Sequence, residues 1–176
     1  TLRTTVYPSK RLTTTCYDDL GRVAWLTWST EAPACPGTPP SGARIASAAY
    51  SYTADDAATA LTLGNELVET RKQNYRGQPT QVSLSSSLWS LTNDYGTTNN
   101  NGNVRVQTLT APGLSLYQKY DYDGVNRLKL AAEFTTNDPL AGCPDASSVW
   151  CQAYEFGQYG NRLVTGRTGQ TPSPSE

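Results

Sequence analysis

Tyr17-Asp18-Asp19-Leu20-Gly21-Arg22-Val23 returns later in the chain as Tyr122-Asp123-Gly124-Val125-Asn126-Arg127-Leu128. A looser copy is Phe156-Gly157-Gln158-Tyr159-Gly160-Asn161-Arg162-Leu163, with Gly157 where the others have Asp. Each copy opens on an aromatic that suits the end of a strand. It then passes through a short polar turn holding Gly or Asn, and reaches Arg near a branched apolar residue that suits the start of the next strand. The phrase therefore spells a β-hairpin, and its return spells an architecture of repeated hairpins.

Composition agrees. Of 176 residues, 37% are hydrophobic, and Tyr outnumbers Phe by 11 to 2. Tyr, Thr and Val favour a pleated, half-wet surface, while Asn, Gly and Pro punctuate it. The expected fold class is all-β: successive antiparallel hairpins forming an extended, coiled or spiral sheet. With 15 acidic and 14 basic residues the net charge is −1, which argues against a binder of nucleic acid or an anionic membrane, since either would need a basic face. No apolar run approaches the roughly 20 residues of a membrane-spanning helix. The absence of Met and the start at Thr1 suit a processed piece of a longer product.

Four cysteines point to an oxidising compartment and a secreted or surface location. Four allow three pairings. Cys16–Cys35 and Cys143–Cys151 are favoured, because each would staple a long connection onto a neighbouring strand. A zinc site is the rival, but there is no Cys-x-x-Cys and no His.

Along the chain, strand character runs over Thr4–Tyr17 with a break at Pro8, then over Arg22–Thr30. A Pro-rich insertion at about 31–42 follows, then strand character from Ala43 to Thr53. Ala54–Leu63 admits a helix capped by Asp55 and Asp56 and ended by Gly64-Asn65, or a loop between hairpins. Hairpins follow at Glu66–Tyr75 with Gln78–Ser85, and at Val104–Thr110 with Leu114–Tyr122. Leu88–Tyr95 lies between them, and Asn101-Gly102 gives a strong tight-turn signal. In Arg127–Thr135 the residues Leu128, Leu130, Ala132 and Phe134 share one face, with Lys129 and Glu133 on the other. A cysteine loop at about 138–151 leads to Trp150–Phe156 and Arg162–Thr165. The expected organisation is one hairpin domain over 1–165 and a Gly/Pro/Ser-rich tail over 166–176.

The Tyr-Asp-x-x-Gly-Arg phrase resembles the tyrosine–aspartate (YD) repeat of the Rhs family. Tyr75-Arg76-Gly77-Gln78-Pro79, the Asn99–Asn103 run and Tyr120-Asp121-Tyr122-Asp123 are similar to segments of its bacterial members, and the resemblance extends from about Val6 to Leu163. It implies hairpins coiled into a spiral or hollow shell, which in the family encloses toxic C-terminal domains or belongs to large surface proteins. It also implies repeat positions: aromatics at Tyr17, Tyr122 and Phe156, turns at Gly21, Asn126 and Gly160, and basic residues at Arg22, Arg127 and Arg162. Asn137-Asp138-Pro139-Leu140 is only superficially similar to the family's self-cleaving aspartate motif.

Chemistry is sparse. Without His, imidazole-based triads and dyads are out. Asp121-Tyr122-Asp123-Gly124 lacks the later oxygen ligands of an EF-hand. Asp18/Asp19 and Asp55/Asp56 are adjacent, so on a strand they point to opposite faces and make a poor acid/base couple. The expectation is a non-enzymatic extracellular structural protein without cofactor or metal. Its partners would be further copies in a fibre or tube through sheet edges, or the rest of a longer chain. A fragment of a toxin-enclosing shell is the alternative. A carbohydrate-binding module using Trp25, Trp28, Trp89, Trp150 and the tyrosines is a second.

Overall fold

The computed structural model describes residues 2–29, 34–35, 44–85 and 87–169. Every regular element among them is a strand: β1 Leu2–Val6, β2 Leu12–Tyr17, β3 Val23–Ser29, β4 Arg44–Tyr52, β5 Ala58–Leu63, β6 Val68–Gln73, β7 Pro79–Leu84, β8 Trp89–Asp94, β9 Val106–Ala111, β10 Leu114–Tyr122, β11 Leu128–Phe134, β12 Trp150–Phe156 and β13 Arg162–Thr168. The fold is all-β, built from successive antiparallel hairpins. The helix admitted for Ala54–Leu63 is replaced by a turn at Thr53–Ala57 and strand β5. The Pro-rich insertion lies outside the described residues except Ala34 and Cys35, as does the tail beyond Gly169; β13 itself continues through Gly166 to Thr168.

The described residues fall into two compact units, one drawn from 2–29, 34–35, 44–73 and 82–85, the other from 74–81 and 87–169. In the first, β1 to β6 pair antiparallel, each with its neighbour in sequence. Its buried face carries Thr14 opposite Thr27 and Cys16 opposite Trp25. The Thr14 and Thr27 hydroxyls are buried without a hydrogen-bond partner. Cys16 is bonded to Cys35, with Cα atoms 5.8 Å apart.

In the second unit β8 to β13 pair in the same serial manner. The alternation in β11 is realised: Leu130, Ala132 and Phe134 are buried and Lys129 is exposed, although Ala131 is buried on the opposite side too. Across the ladders, Lys119, Ala132, Cys151 and Thr168 form one row, and Tyr117 faces Phe134 in the next. The core is Ala132, Phe134 and Cys151, with Tyr117, Leu140 and Cys143 packed against it. Leu140 and Cys143 come from the long β11–β12 connection, which the Cys143–Cys151 disulfide holds down at a Cα distance of 5.8 Å. Both disulfides are those expected from the placement of long connections. Gly166 makes this strap fit: a Cβ there would stand 2.6 Å from the Cys143 carbonyl oxygen.

Candidate functional site

The repeated phrase folds as a five-residue closed turn. Numbering its residues one to five, the N–H of residue one donates to the carbonyl of residue five at 2.7–3.0 Å, and the N–H of residue four donates back to the carbonyl of residue one at 2.9–3.2 Å. Seven such turns occur among the described residues, at 7–11, 18–22, 53–57, 63–67, 74–78, 123–127 and 157–161. In every one the fourth residue has positive φ: Lys10, Gly21, Asp56, Glu66, Gly77, Asn126 and Gly160, between 61° and 81°. A tight turn followed by a left-handed residue matches the right-handed twist of the flanking strands, which is why this loop closes hairpins.

Residue one decides how well the turn is fastened. Asp18 Oδ1 accepts the N–H groups of Leu20 at 3.0 Å and Arg22 at 2.8 Å, and its Oδ2 accepts Arg22 Nε at 2.8 Å. Asp123 repeats the pattern with Val125 at 3.0 Å, Arg127 at 2.9 Å and Arg127 Nε at 2.6 Å. The N–H donors, led by those of Arg22 and Arg127 respectively, hold both carboxyls below the usual carboxylate range. Asn74 performs the same task with amides, its Oδ1 accepting from Arg76 and Gln78 and its Nδ2 donating to Gln78 Oε1 at 2.7 Å. Thr53 does part of it, its Oγ1 accepting the Ala57 N–H at 3.0 Å.

The aromatic before the turn fastens one hairpin to the preceding one. Tyr52 OH donates to the Val23 carbonyl at 2.7 Å, Tyr95 OH to Pro79 at 3.0 Å, and Tyr122 OH to Val104 at 2.9 Å. Val23 and Pro79 each directly follow a turn, and the tyrosine arrives at the end of the adjacent strand. Burial raises the Tyr122 phenol above its ordinary value, so it stays a donor. The arginine at position five adds a second link: Arg22 lies over the Tyr52 ring at 4.5 Å, Arg127 over Phe156 at 4.3 Å. Arg22 also reaches Asp56 in the next turn of its rim, Nη1 to Oδ1 at 3.0 Å.

Of the positions implied by the family resemblance, Gly21, Asn126 and Gly160 take the left-handed role. Tyr122 takes the seam role, and Phe156 occupies the same place without a hydroxyl. Arg162 departs from the pattern. It comes one residue after position five, where Asn161 stands, and lies over Tyr154 at 4.9 Å on its own hairpin. Asn101-Gly102 does not form a two-residue hairpin. It sits inside the longer β8–β9 connection, where Asn99 and Gly102 have positive φ. That connection laces the rim of the second unit. Gln78 and Asn100 exchange amide bonds at 2.8 and 3.1 Å, Arg76 donates to the Asn100 carbonyl, and Asn101 and Asn103 both donate to Asn126 Oδ1.

Away from the rim, an open concavity of about 570 Å³ lies beside the strap, lined by Tyr120, Asp121, Lys129, Leu130, Tyr154 and Glu155 among others. Asp121 and Lys129, both in its lining on the paired strands β10 and β11, form an ion pair at 3.5 Å, and both are half-exposed. Among the described residues no group of three His, Cys, Asp or Glu is arranged to hold a metal ion.

No family model and no curated protein matches the chain. Solved structures do. A crystal structure of TcdB2-TccC3-TEV is similar at a TM-score of 0.62 and 14% identity, over 92% of this chain and 8% of that one. A Tc holotoxin pore of Photorhabdus luminescens carrying a mutation in TccC3 is similar at a TM-score of 0.65 and 14% identity, with the same coverage. At that identity the likeness is one of fold, and the chain spans about a twelfth of each neighbour's length.

Proposed function

We propose that this chain is a non-catalytic scaffold: a stretch of wall in a YD-repeat, Rhs-type shell. The observation that carries the reading is the serial seam, in which a tyrosine hydroxyl at the end of one hairpin grips the carbonyl after the preceding turn. Such seams add hairpins side by side without limit and require no reactive group. The likeness in fold to toxin components, of which the chain spans 8%, supports a part of something larger. Two disulfides support an extracellular or surface setting.

The test is to read the full open reading frame and image its product by electron microscopy. Further tyrosine-clasped hairpins on either side and a hollow particle are expected. A product confined to this segment would overturn the shell reading.

A further inference from the structure

Asn101 and Asp123 each stand directly before a glycine, and no other Asn or Asp of the chain does. A glycine nitrogen, with no Cβ beside it, is the peptide nitrogen that can approach a side-chain carbonyl most closely. Both side chains fold forward over that peptide. Asn101 Oδ1 accepts the Asn103 N–H at 3.2 Å, and Asp123 Oδ1 accepts the Val125 N–H at 3.0 Å. From there the two part company. Asp123 is a carboxylate, kept ionised by N–H donors led by that of Arg127 and gripped by Arg127 Nε at 2.6 Å. Its charge repels a nucleophile, and the closed turn stops it from swinging. Asn101 offers a neutral amide carbon instead. It lies with Gly102 in the β8–β9 connection, and both are exposed. A Cβ on Gly102 would meet only Gln78 Nε2, at 3.8 Å, so nothing crowds the nitrogen. The Gly102 N–H donates to Asn100 Oδ1 at 3.0 Å, an exposed bond that water replaces at little cost.

We infer that Asn101-Gly102 is a self-modifying site, where the folded chain exchanges an amide for a carboxylate and so unlaces its own rim. Hydroxide takes the Gly102 N–H proton, and that nitrogen bonds to Asn101 Cγ. The Cγ–Nδ2 bond breaks, and ammonia leaves with a proton from water, which restores the hydroxide. Water then adds to either carbonyl of the five-membered imide and opens it to Asp or isoaspartate at position 101. Nothing is oxidised or reduced, and water is the only co-reactant, so the reaction is independent of the scaffold reading. Its effect falls on Asn126, the left-handed residue of the 123–127 turn. Asn126 Oδ1 accepts Asn101 Nδ2 at 2.6 Å and Asn103 Nδ2 at 3.2 Å. A carboxylate at 101 has no N–H to give, so acceptor would meet acceptor. Turning the Asn126 amide over satisfies position 101 only by breaking the bond from Asn103. The new charge also joins Asp121 and Asp123 around one small hollow, beside Arg105.

The test incubates the whole folded chain in mildly alkaline buffer and maps its peptides by mass spectrometry, with released ammonia and isoaspartate as further readouts. Expected are loss of one ammonia per chain, Asp and isoaspartate confined to position 101, and a rate that rises in proportion to hydroxide. Asn101→Gln keeps an amide but would have to close a larger ring, and the loss should vanish. Asn101→Asp should reproduce the unlaced rim as faster amide exchange over 99–103 and 123–127. In urea, where the closed turn is gone, Asp123 should isomerise as well. An unchanged mass after an incubation that converts the urea-unfolded chain would overturn the assignment. So would conversion at Asn99, Asn100 or Asn103 in place of Asn101, or isoaspartate forming at Asp123 of the folded chain as fast as at 101. Unaltered exchange in Asn101→Asp would overturn the unlacing.

Discussion

Tyr52 and Val23 are joined across two strands by a 2.7 Å hydrogen bond from a phenol to a peptide carbonyl, with Arg22 lying over the same ring. Tyr95 with Pro79 and Tyr122 with Val104 repeat the bond in the second unit. Tyr52→Phe and Tyr122→Phe should each cost about 1 kcal/mol by stripping a partner from a part-buried carbonyl. The two sites share no partner, so the double variant should show the sum. Phe156→Tyr is the converse: its hydroxyl would meet the Leu128 carbonyl after the 123–127 turn, and a gain of about 0.5–1 kcal/mol is expected. Urea midpoints at unchanged slope report all three.

Acid should loosen the two turns that Asp18 and Asp123 fasten. Asp18 and Asp123 have folded-state pKa values below the unfolded carboxylate range because backbone N–H groups converge on them. Their stabilisation is therefore complete above the unfolded value of about 3.9 and is lost as pH falls through the lower folded values. Asp18→Asn and Asp123→Asn keep the N–H acceptor, as Asn74 does, and should flatten the decline in urea midpoint below about pH 4. A variant pair with the wild-type acid profile would refute this.

At Gly77 φ is +73° and nothing stands within 4 Å of a built Cβ, so only the backbone objects to a side chain. Gly77→Ala should lose about 1 kcal/mol, and Gly77→Asn clearly less, since Asn tolerates the left-handed region. Thermal unfolding of the three proteins side by side gives the order.

The hydroxyls of Thr14 and Thr27 are buried and unsatisfied on facing strands. Thr14→Val or Thr27→Val keeps the shape and removes a desolvated polar group. A gain of about 1 kcal/mol is expected, read as a raised melting temperature.

Each disulfide closes a modest loop, 8 residues for Cys143–Cys151 and 19 for Cys16–Cys35. Chain-entropy arguments put their removal at about 2.5 and about 3 kcal/mol. Alanine pairs should show these losses in chemical denaturation, and a reductant should then leave the double knockout unaffected. Gly166→Ala should also unseat the strap, because its Cβ would collide with the Cys143 carbonyl.

The hairpins whose fourth turn residue is Gly or Asn were legible in the sequence, because those residues advertise the left-handed region. The turns with Lys10, Asp56 and Glu66 at that place were not, since nothing in their chemistry announces positive φ. That is why Asp55 and Asp56 suit a helix cap on paper and close a hairpin in the structure. A Thr four residues ahead of Ala57, doing the work of Asp18, was the available signal. The cysteine pairs were legible from where the long connections fall. The seams were hidden for a different reason. They join residues 29, 16 and 18 apart, and the acceptor is a backbone carbonyl, which carries no residue identity. Arg162 follows Gly160 by two residues where Arg22 follows Gly21 directly, so it stands one place beyond the turn's fifth residue.

A fastening whose receiving half is the peptide group has a further consequence. Every residue type offers the same carbonyl, so the acceptor cannot be lost by substitution, and only the tyrosine and the position of the acceptor at the start of the neighbouring strand need be kept. Strands between those points are free to exchange side chains wholesale while the hairpins still meet in register. A TM-score of 0.65 at 14% identity is the outcome such freedom allows: the fold is carried by its main chain, and the side chains set upon it can differ almost throughout.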